Sequence, residues 1–379
     1  MEEKQPHHQI QVTVDLSLTP SQPNPADATS PNEQPNDASP PLLARFHAGY
    51  FRISLSLCGQ ALLWKTLSEP TEDAHAFRRA LQTFPSTAFL LLLLWSISLF
   101  VHLFLSLLYL LRCFFHFHMV KKEFLHHVGV NYLFAPWISW LLLLQSSPLI
   151  NPKDPYYVVL WWVFALPMIA LDVKIYGQWF TKGKRPFLST VANPTSQLSV
   201  IGNFVGARAA AEMGWKESAV FMFSLGMSHY LVLFVTLYQR FSGSHQLPVL
   251  LRPVFFLFIA APSMASLAWD SICGTFDVSS KMLFFLSLFL FASLVSRPAL
   301  FKRSMQRFHV AWWAYSFPLS VLALASIEYA QEVKGRIAHA LMLVLLAFSV
   351  LVSLGMVVFT AINSGHLLPN DDTILSHST

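Results

Sequence analysis

Ten apolar stretches follow one another through this chain, each close to the ~20 residues a helix needs to cross a bilayer. Their approximate limits are 45–66, 86–112, 127–147, 156–174, 188–211, 216–239, 250–272, 279–297, 304–329 and 336–364. Inside hydrocarbon every backbone amide must find its partner within the protein, which restricts such stretches to helices. The pattern predicts an all-α integral membrane protein with ten transmembrane helices filling residues 42–364. Only 12% of the 379 residues are charged, about half the share of a soluble domain.

The flanks read differently. Residues 1–41, with "TPSQPNPADATSPNEQPNDASPP", are too polar and Pro-rich to build a core and are expected to form a disordered tail. Residues 365–379 form a short polar end. The opening "MEEKQPHHQI" has no apolar signal region, so the first span is expected to do the targeting.

Several function classes drop out on composition and spacing. The net charge of +5 is spread over short loops, so no nucleic-acid partner is expected. Cys58, Cys113 and Cys273 lack metal-ligand spacing, and the apolar settings of Cys58 and Cys273 predict buried thiols. His116–His118 and His126–His127 share one basic loop without the acids a di-metal site requires. There is no Gly-rich phosphate loop and no nucleophile motif. The chain is not expected to be an enzyme or to need a cofactor.

Ten spans place both termini on one side. Loops after the even segments carry most of the Lys and Arg: Arg112, Lys121 and Lys122, then Lys174 to Arg185, Arg240 and Arg252, and Arg297 to Arg307. By the positive-inside rule these loops and both termini are expected in the cytoplasm.

In-membrane prolines fall in alternate segments. Pro136, Pro194, Pro262 and Pro318 lie in the third, fifth, seventh and ninth, several beside Ser or Thr. Each removes a backbone hydrogen bond and bends a helix. Freed carbonyls are tolerated where they line a cavity. The expectation is an inner ring of bent odd-numbered helices around a central pore, inside greasier even-numbered ones. Proline is also commoner in membrane helices generally, and Pro167 in the fourth segment breaks the alternation.

The odd segments hold bases rather than a ring of acids: His47, Arg52, Arg208 and His309. A weakly positive, largely neutral lumen suits anions. Two of these bases have plainer readings. Arg208 can pair with Glu212 one turn on, and Arg52 can snorkel to the interface.

The stretches "FHAGYFRISLSLCGQALLW", "VNYLFAPW", "VANPTSQLSVIGNFVGA", "RPVFFLFIAAPSMASLAWDSICGTFD" and "FHVAWWAYSFP" resemble the plant slow-type (S-type) anion channels, relatives of bacterial tellurite-resistance/dicarboxylate transporters. The likeness runs from about 45 to 364, and the short tail fits the short-tailed homologues. It implies five helical hairpins around a pore in each protomer of a homotrimer, passing chloride and nitrate across the plasma membrane. It also implies a pore gate at Phe308, in the F-x-V-A-W-W motif, with a second pore Phe at Phe134. Phe308 follows Arg303 and Arg307 closely, which places it shallow. A deeper plug requires the ninth helix to start before 304 or its loop to dip inward.

The chain departs from that family where Phe-Pro-Ile-Gly is common: it has Phe46, His47, Ala48 and Gly49, and Arg52 replaces a Gly usual in the guard-cell type. The tail lacks bases upstream of Ser30 and Ser39, leaving "KRS" at Lys302–Ser304 as a weak phosphosite. The expected mechanism is passive flow through a pore without a strong binding site, favouring weakly hydrated nitrate over chloride. Two other readings stay open: a malate-type organic-anion carrier, and a non-conducting subunit forming heteromers with longer relatives. The carrier reading lacks a mid-membrane acid, since Asp172 and Asp270 are expected near helix ends.

Overall fold

The computed structural model describes residues 42–69, 86–180, 192–242, 249–302, 304–305 and 308–363. The expected tails, together with Arg303 and Arg307, lie outside the described residues. Among the described residues all regular structure is helical.

The longer helices are α1 (Arg52–Ser68), α2 (Ser86–Phe115), α3 (Phe117–Leu125), α4 (Phe134–Gln145), α5 (Pro155–Phe180) and α6 (Gln197–Glu212). They continue as α7 (Lys216–Ser242), α8 (Leu257–Cys273), α9 (Val278–Val295), α10 (Ser316–Val333) and α11 (Arg336–Ile362). Five of them open with a tight lead turn: Ala48–Phe51 before α1, Gly129–Tyr132 before α4, Pro194–Ser196 before α6, Val249–Phe256 before α8 and Val310–Tyr315 before α10. All but the Gly129–Tyr132 turn are 3₁₀.

Seven described helical stretches are long and apolar enough to cross a membrane. With 17 and 16 residues, α1 and α6 fall short of that length. α3 and the stretch from Gly129 to Gln145 together qualify, but they meet at a 105° bend. The molecule is a helical, multi-pass membrane protein.

Helices of the odd-numbered segments pack in a closed circuit: α1 on α4, α4 on α6, α6 on α8, α8 on α10, and α10 back on α1. Each remaining long helix sits over the seam between two circuit members. α2 lies over α1 and α4, α5 over α4 and α6, α7 over α6 and α8, α9 over α8 and α10, and α11 over α10 and α1. Side-chain character follows position. From Gln197 to Ala210 every residue of α6 is buried, whereas α2, α9 and α11 expose Phe100, Phe289 and Leu351 among many apolar residues. Lipid solvates those faces as well as protein would, so packing between helices depends on close fit and hydrogen bonds. At α6–α7 the fit comes from glycine. A Cβ on Gly206 would lie 2.5 Å from Met222 Cε, and one on Gly226 2.8 Å from Phe204 Cε1.

Polar side chains close the circuit between first and last members. Gln60 Nε2 of α1 lies 2.8 Å from Ser320 Oγ of α10 and from Ser349 Oγ and Ser353 Oγ of α11. Ser56 Oγ donates to the Trp313 carbonyl at 2.9 Å, and Trp313 Nε1 to Thr360 Oγ1 at 3.0 Å.

Three of the four prolines, Pro136, Pro194 and Pro318, occupy other positions than mid-span bends would require. Pro194 opens a lead turn, and Pro136 and Pro318 are each the third residue of an α-helix. Pro136 and Pro318 thus stand just past the junction between lead turn and α-helix, not in the middle of a span. Pro262 does lie inside α8, where Ser263 and Ser287 hydroxyls both donate to the Ile259 carbonyl at 2.9 Å. Pro136 lines a cavity of about 920 Å³ among α2, α3, α4 and α5, with Trp137, Trp140 and Lys121. That cavity lies outside the circuit.

Two further expectations are corrected. Cys58 is buried, but Cys273 is exposed because it ends α8. The ninth segment is not one helix over 304–329: its α-helix begins only at Ser316, behind the lead turn.

α9 has a side-chain cap. Asp277 accepts from the Ser280 N–H at 2.9 Å and from Trp269 Nε1 at 3.1 Å. These bonds, led by the one from Ser280, hold its carboxyl below the usual carboxylate range. A lowered folded pKa means the stabilisation is present above the ordinary value of ~4 and lost as pH falls through the lowered one. Asp277→Ala is expected to cost about 1 kcal/mol at neutral pH, read as a lower thermal midpoint of the purified protein. An unchanged midpoint would show that the cap contributes nothing.

Candidate functional site

The five lead turns form a second closed circuit at one end of the first. The turn of α1 touches that of α4, and contact passes on through those of α6, α8 and α10 back to α1. Starts meeting starts while helices meet helices means that the five helices run parallel. Their N-termini converge. Each N-terminus carries roughly +0.5 of a charge in unpaired N–H groups, so this end of the circuit attracts anions without any lysine.

Side chains cap some of these turns and leave others open. His47, extended at φ −133°, accepts the Gly49 N–H through Nδ1 at 3.0 Å. Asn193 Oδ1 accepts the Thr195 N–H at 2.8 Å. His309 stands at the corresponding place before the turn of α10, with no side-chain cap bond. Buried polar groups of this circuit without a hydrogen-bond partner among the described residues include Arg52 Nη1, Tyr132 OH, Asn193 Nδ2, the Gln197 amide, His309 Nε2 and Tyr315 OH. Buried polar groups are ordinarily paired, and most of these can donate. The setting is donor-rich, with the Glu123 carboxylate accepting the Ala48 N–H of the first turn at 2.8 Å.

Arg52, the first residue of α1, is 3% exposed, so it does not snorkel. Its Nε donates to the Gly49 carbonyl at 2.9 Å, and its Cζ lies 4.8 Å from the centre of the Tyr132 ring. Its charge acts on both His47 and His309. Arg208 is elsewhere, near the far end of α6, with Nε 3.0 Å from Glu212 Oε1. The plainer reading of Arg208 as an ion-paired residue therefore holds.

Phe308 precedes His309 outside any helix and is half-buried. Its ring meets Trp312 edge-on, with centroids 5.5 Å apart. Trp312 is itself held by an Nε1 bond to the Ser304 carbonyl at 3.0 Å and by Phe359 of α11 at 5.8 Å. Phe134 opens α4 and is fully buried. Ser304 is 2% exposed and its hydroxyl donates to the Phe301 carbonyl, so a kinase cannot reach it in this conformation.

Sequence reasoning missed Tyr132, Glu123 and Gly49. Tyr132 and Gly49 stand inside quoted motifs, but nothing in their spacing marks a role. Asp172 was expected near a helix end, but it stands well inside α5 (Pro155–Phe180) and is buried, so the chain does hold an acid within a long apolar helix. It packs between α5 and α6 and accepts from Asn203 Nδ2 at 2.8 Å, on the outer side of the circuit.

A ring of converging helix starts with unpaired buried donors is a setting that suits anions. Comparison with known proteins makes this specific. A family model described as a voltage-dependent anion channel matches residues 45–361. The S-type anion channel SLAH1 of Arabidopsis thaliana is 60% identical over 88% of this chain and 85% of that protein. S-type anion channel SLAH4 of the same plant is 57% identical over 88% of each. The guard cell S-type anion channel SLAC1 is 43% identical over 89% of this chain and 60% of its own length. The chain belongs to the S-type anion channel family, whose matched members are named as channels, not enzymes.

Proposed function

We propose that the chain is a plasma-membrane channel passing chloride and nitrate passively through a pore inside each protomer. In this reading ten membrane-crossing segments pair as five hairpins, with α1, α4, α6, α8 and α10 around the pore. Both termini and the ring of helix starts face the cytoplasm, and three copies assemble as a homotrimer in membrane lipid. Phe308 and Phe134 narrow the path, and Phe308 acts as the plug. The observation that carries the reading is the closed circuit of five parallel helix starts, because it supplies positive potential without a deep charge trap. Ions would then be sorted largely by the cost of stripping water, which favours nitrate.

A second reading has its own support. His47 and Arg52 crowd the space over Gly49, where the resembling channels commonly carry smaller side chains. Such filling suits a subunit that conducts poorly alone and modifies a longer relative within a heteromer. Two-electrode recording in oocytes separates the readings. The channel reading expects chloride and nitrate currents from this chain alone, with the larger in nitrate. Silence alone, combined with changed currents on co-expression with a longer relative, would replace it by the subunit reading.

A further inference from the structure

Arg52 has no carboxylate partner among the described residues. Arg112 is paired with Glu123 at 3.1 Å and Arg208 with Glu212 at 3.0 Å, but Arg52 makes no ion pair among the described residues and is 3% exposed. Guanidinium cannot shed its charge in a protein. Leaving it buried with one backbone carbonyl and one ring face carries a large desolvation penalty. A mobile anion removes that penalty.

We propose that Arg52, with Tyr132 and His309, forms a discrete binding site for a planar oxyanion, either nitrate or a carboxylate group. The proposal rests on the anion-channel reading, and it replaces a pore without a binding site by one with a single selective station. With Nε committed to the Gly49 carbonyl at 2.9 Å, the guanidinium keeps the edge between its two terminal nitrogens. That edge matches two coplanar oxygens and gives a bidentate bond that spherical chloride cannot make. The Tyr132 ring, 4.8 Å from Cζ, fixes the plane of the fork. Tyr132 OH and His309 Nε2, both without partners among the described residues, supply further donors.

The backbone is shaped for this arrangement. A Cβ at Gly49 would lie 2.5 Å from His47 Cε1 and 2.9 Å from Arg52 Nη2. Only glycine lets the His47 ring and the Arg52 fork rest over that peptide. His47 Nδ1 accepts the Gly49 N–H, so the neutral ring carries its proton on Nε2.

The test uses the purified full-length protein and its thermal midpoint, with sodium chloride replaced stepwise by sodium nitrate or sodium acetate at constant ionic strength. The midpoint is expected to rise saturably with nitrate, acetate or both, and the two arms identify the oxyanion. Arg52→Lys, which keeps the charge and loses the fork, is expected to weaken the response about tenfold in concentration. Arg52→Gly is expected to abolish it. A wild-type protein indifferent to the exchange, or an Arg52→Lys protein responding as wild type, overturns the site. If Arg52→Gly does not elute as folded protein, Arg52→Lys decides alone. Oocyte recordings of the same proteins separate the two readings. A protein that never conducts yet binds through Arg52 refutes the channel and leaves the site standing. A conducting protein without Arg52-dependent binding does the reverse.

Discussion

Phe308→Ala is expected to raise the basal anion current in oocytes by about 2- to 10-fold. The ring is held in place by an edge-on contact with Trp312 at 5.5 Å. Aromatic pairs of this kind contribute roughly 0.5–1.5 kcal/mol beyond simple burial. If the contact holds the closed position, its loss shifts the closed-to-open ratio by the same free energy, which sets the quoted range. Removing the ring also removes the obstruction itself, so the larger end is favoured. The rest of the anchor stays in place, because Trp312 keeps its bonds to the Ser304 carbonyl and Phe359. A current unchanged in both chloride and nitrate, at equal surface expression, would remove Phe308 from the role of plug.

The architecture was partly legible in the sequence because hydrocarbon imposes strict rules. Twenty-residue apolar stretches had to become helices, and the greasy evenness of "FLLLLLWSISLF" did mark α2 as an outer helix with exposed Phe89 and Phe100. The small and hydroxylated residues of the fifth segment marked α6 as buried. What the prolines do was not legible. A proline in an apolar run has the same spacing whether it bends a helix or starts one. Only backbone geometry separates Pro262 inside α8 from Pro136 and Pro318 in first turns. For the same reason the late start of α10 at Ser316 was hidden, since 3₁₀ and α turns carry similar apolar patterns. Arg52 was visible as a costly residue, but its surroundings were not. The Tyr132 ring lies against it from the lead turn of α4, and its charge is felt by His309 ahead of the turn of α10, and no local rule predicts such a meeting.

Glu123→Ala is expected to destabilise the protein by about 3–5 kcal/mol, because it leaves a buried charge alone. Glu123 and Arg112 face each other at 3.1 Å with side chains 2% and 4% exposed. The other Glu123 oxygen accepts the Ala48 N–H at 2.8 Å. One carboxylate thus ties α3 to the end of α2 and to the first residue of the lead turn of α1. Removing it strands the Arg112 guanidinium and an N–H that the 3₁₀ turn cannot satisfy. Glu123→Gln keeps an acceptor for Ala48 and is expected to cost less. The double replacement Arg112→Met with Glu123→Leu removes both charges and is expected to recover most of the loss, since apolar residues of similar size substitute well for a buried pair. Thermal midpoints of the purified proteins give the comparison. A Glu123→Ala protein within about 1 kcal/mol of wild type would show that the pair is solvated. The same variant also tests the link to Arg52. That residue lies four positions beyond Ala48 in one continuous helical run, so loosening the turn is expected to blunt the nitrate response even where the fold survives.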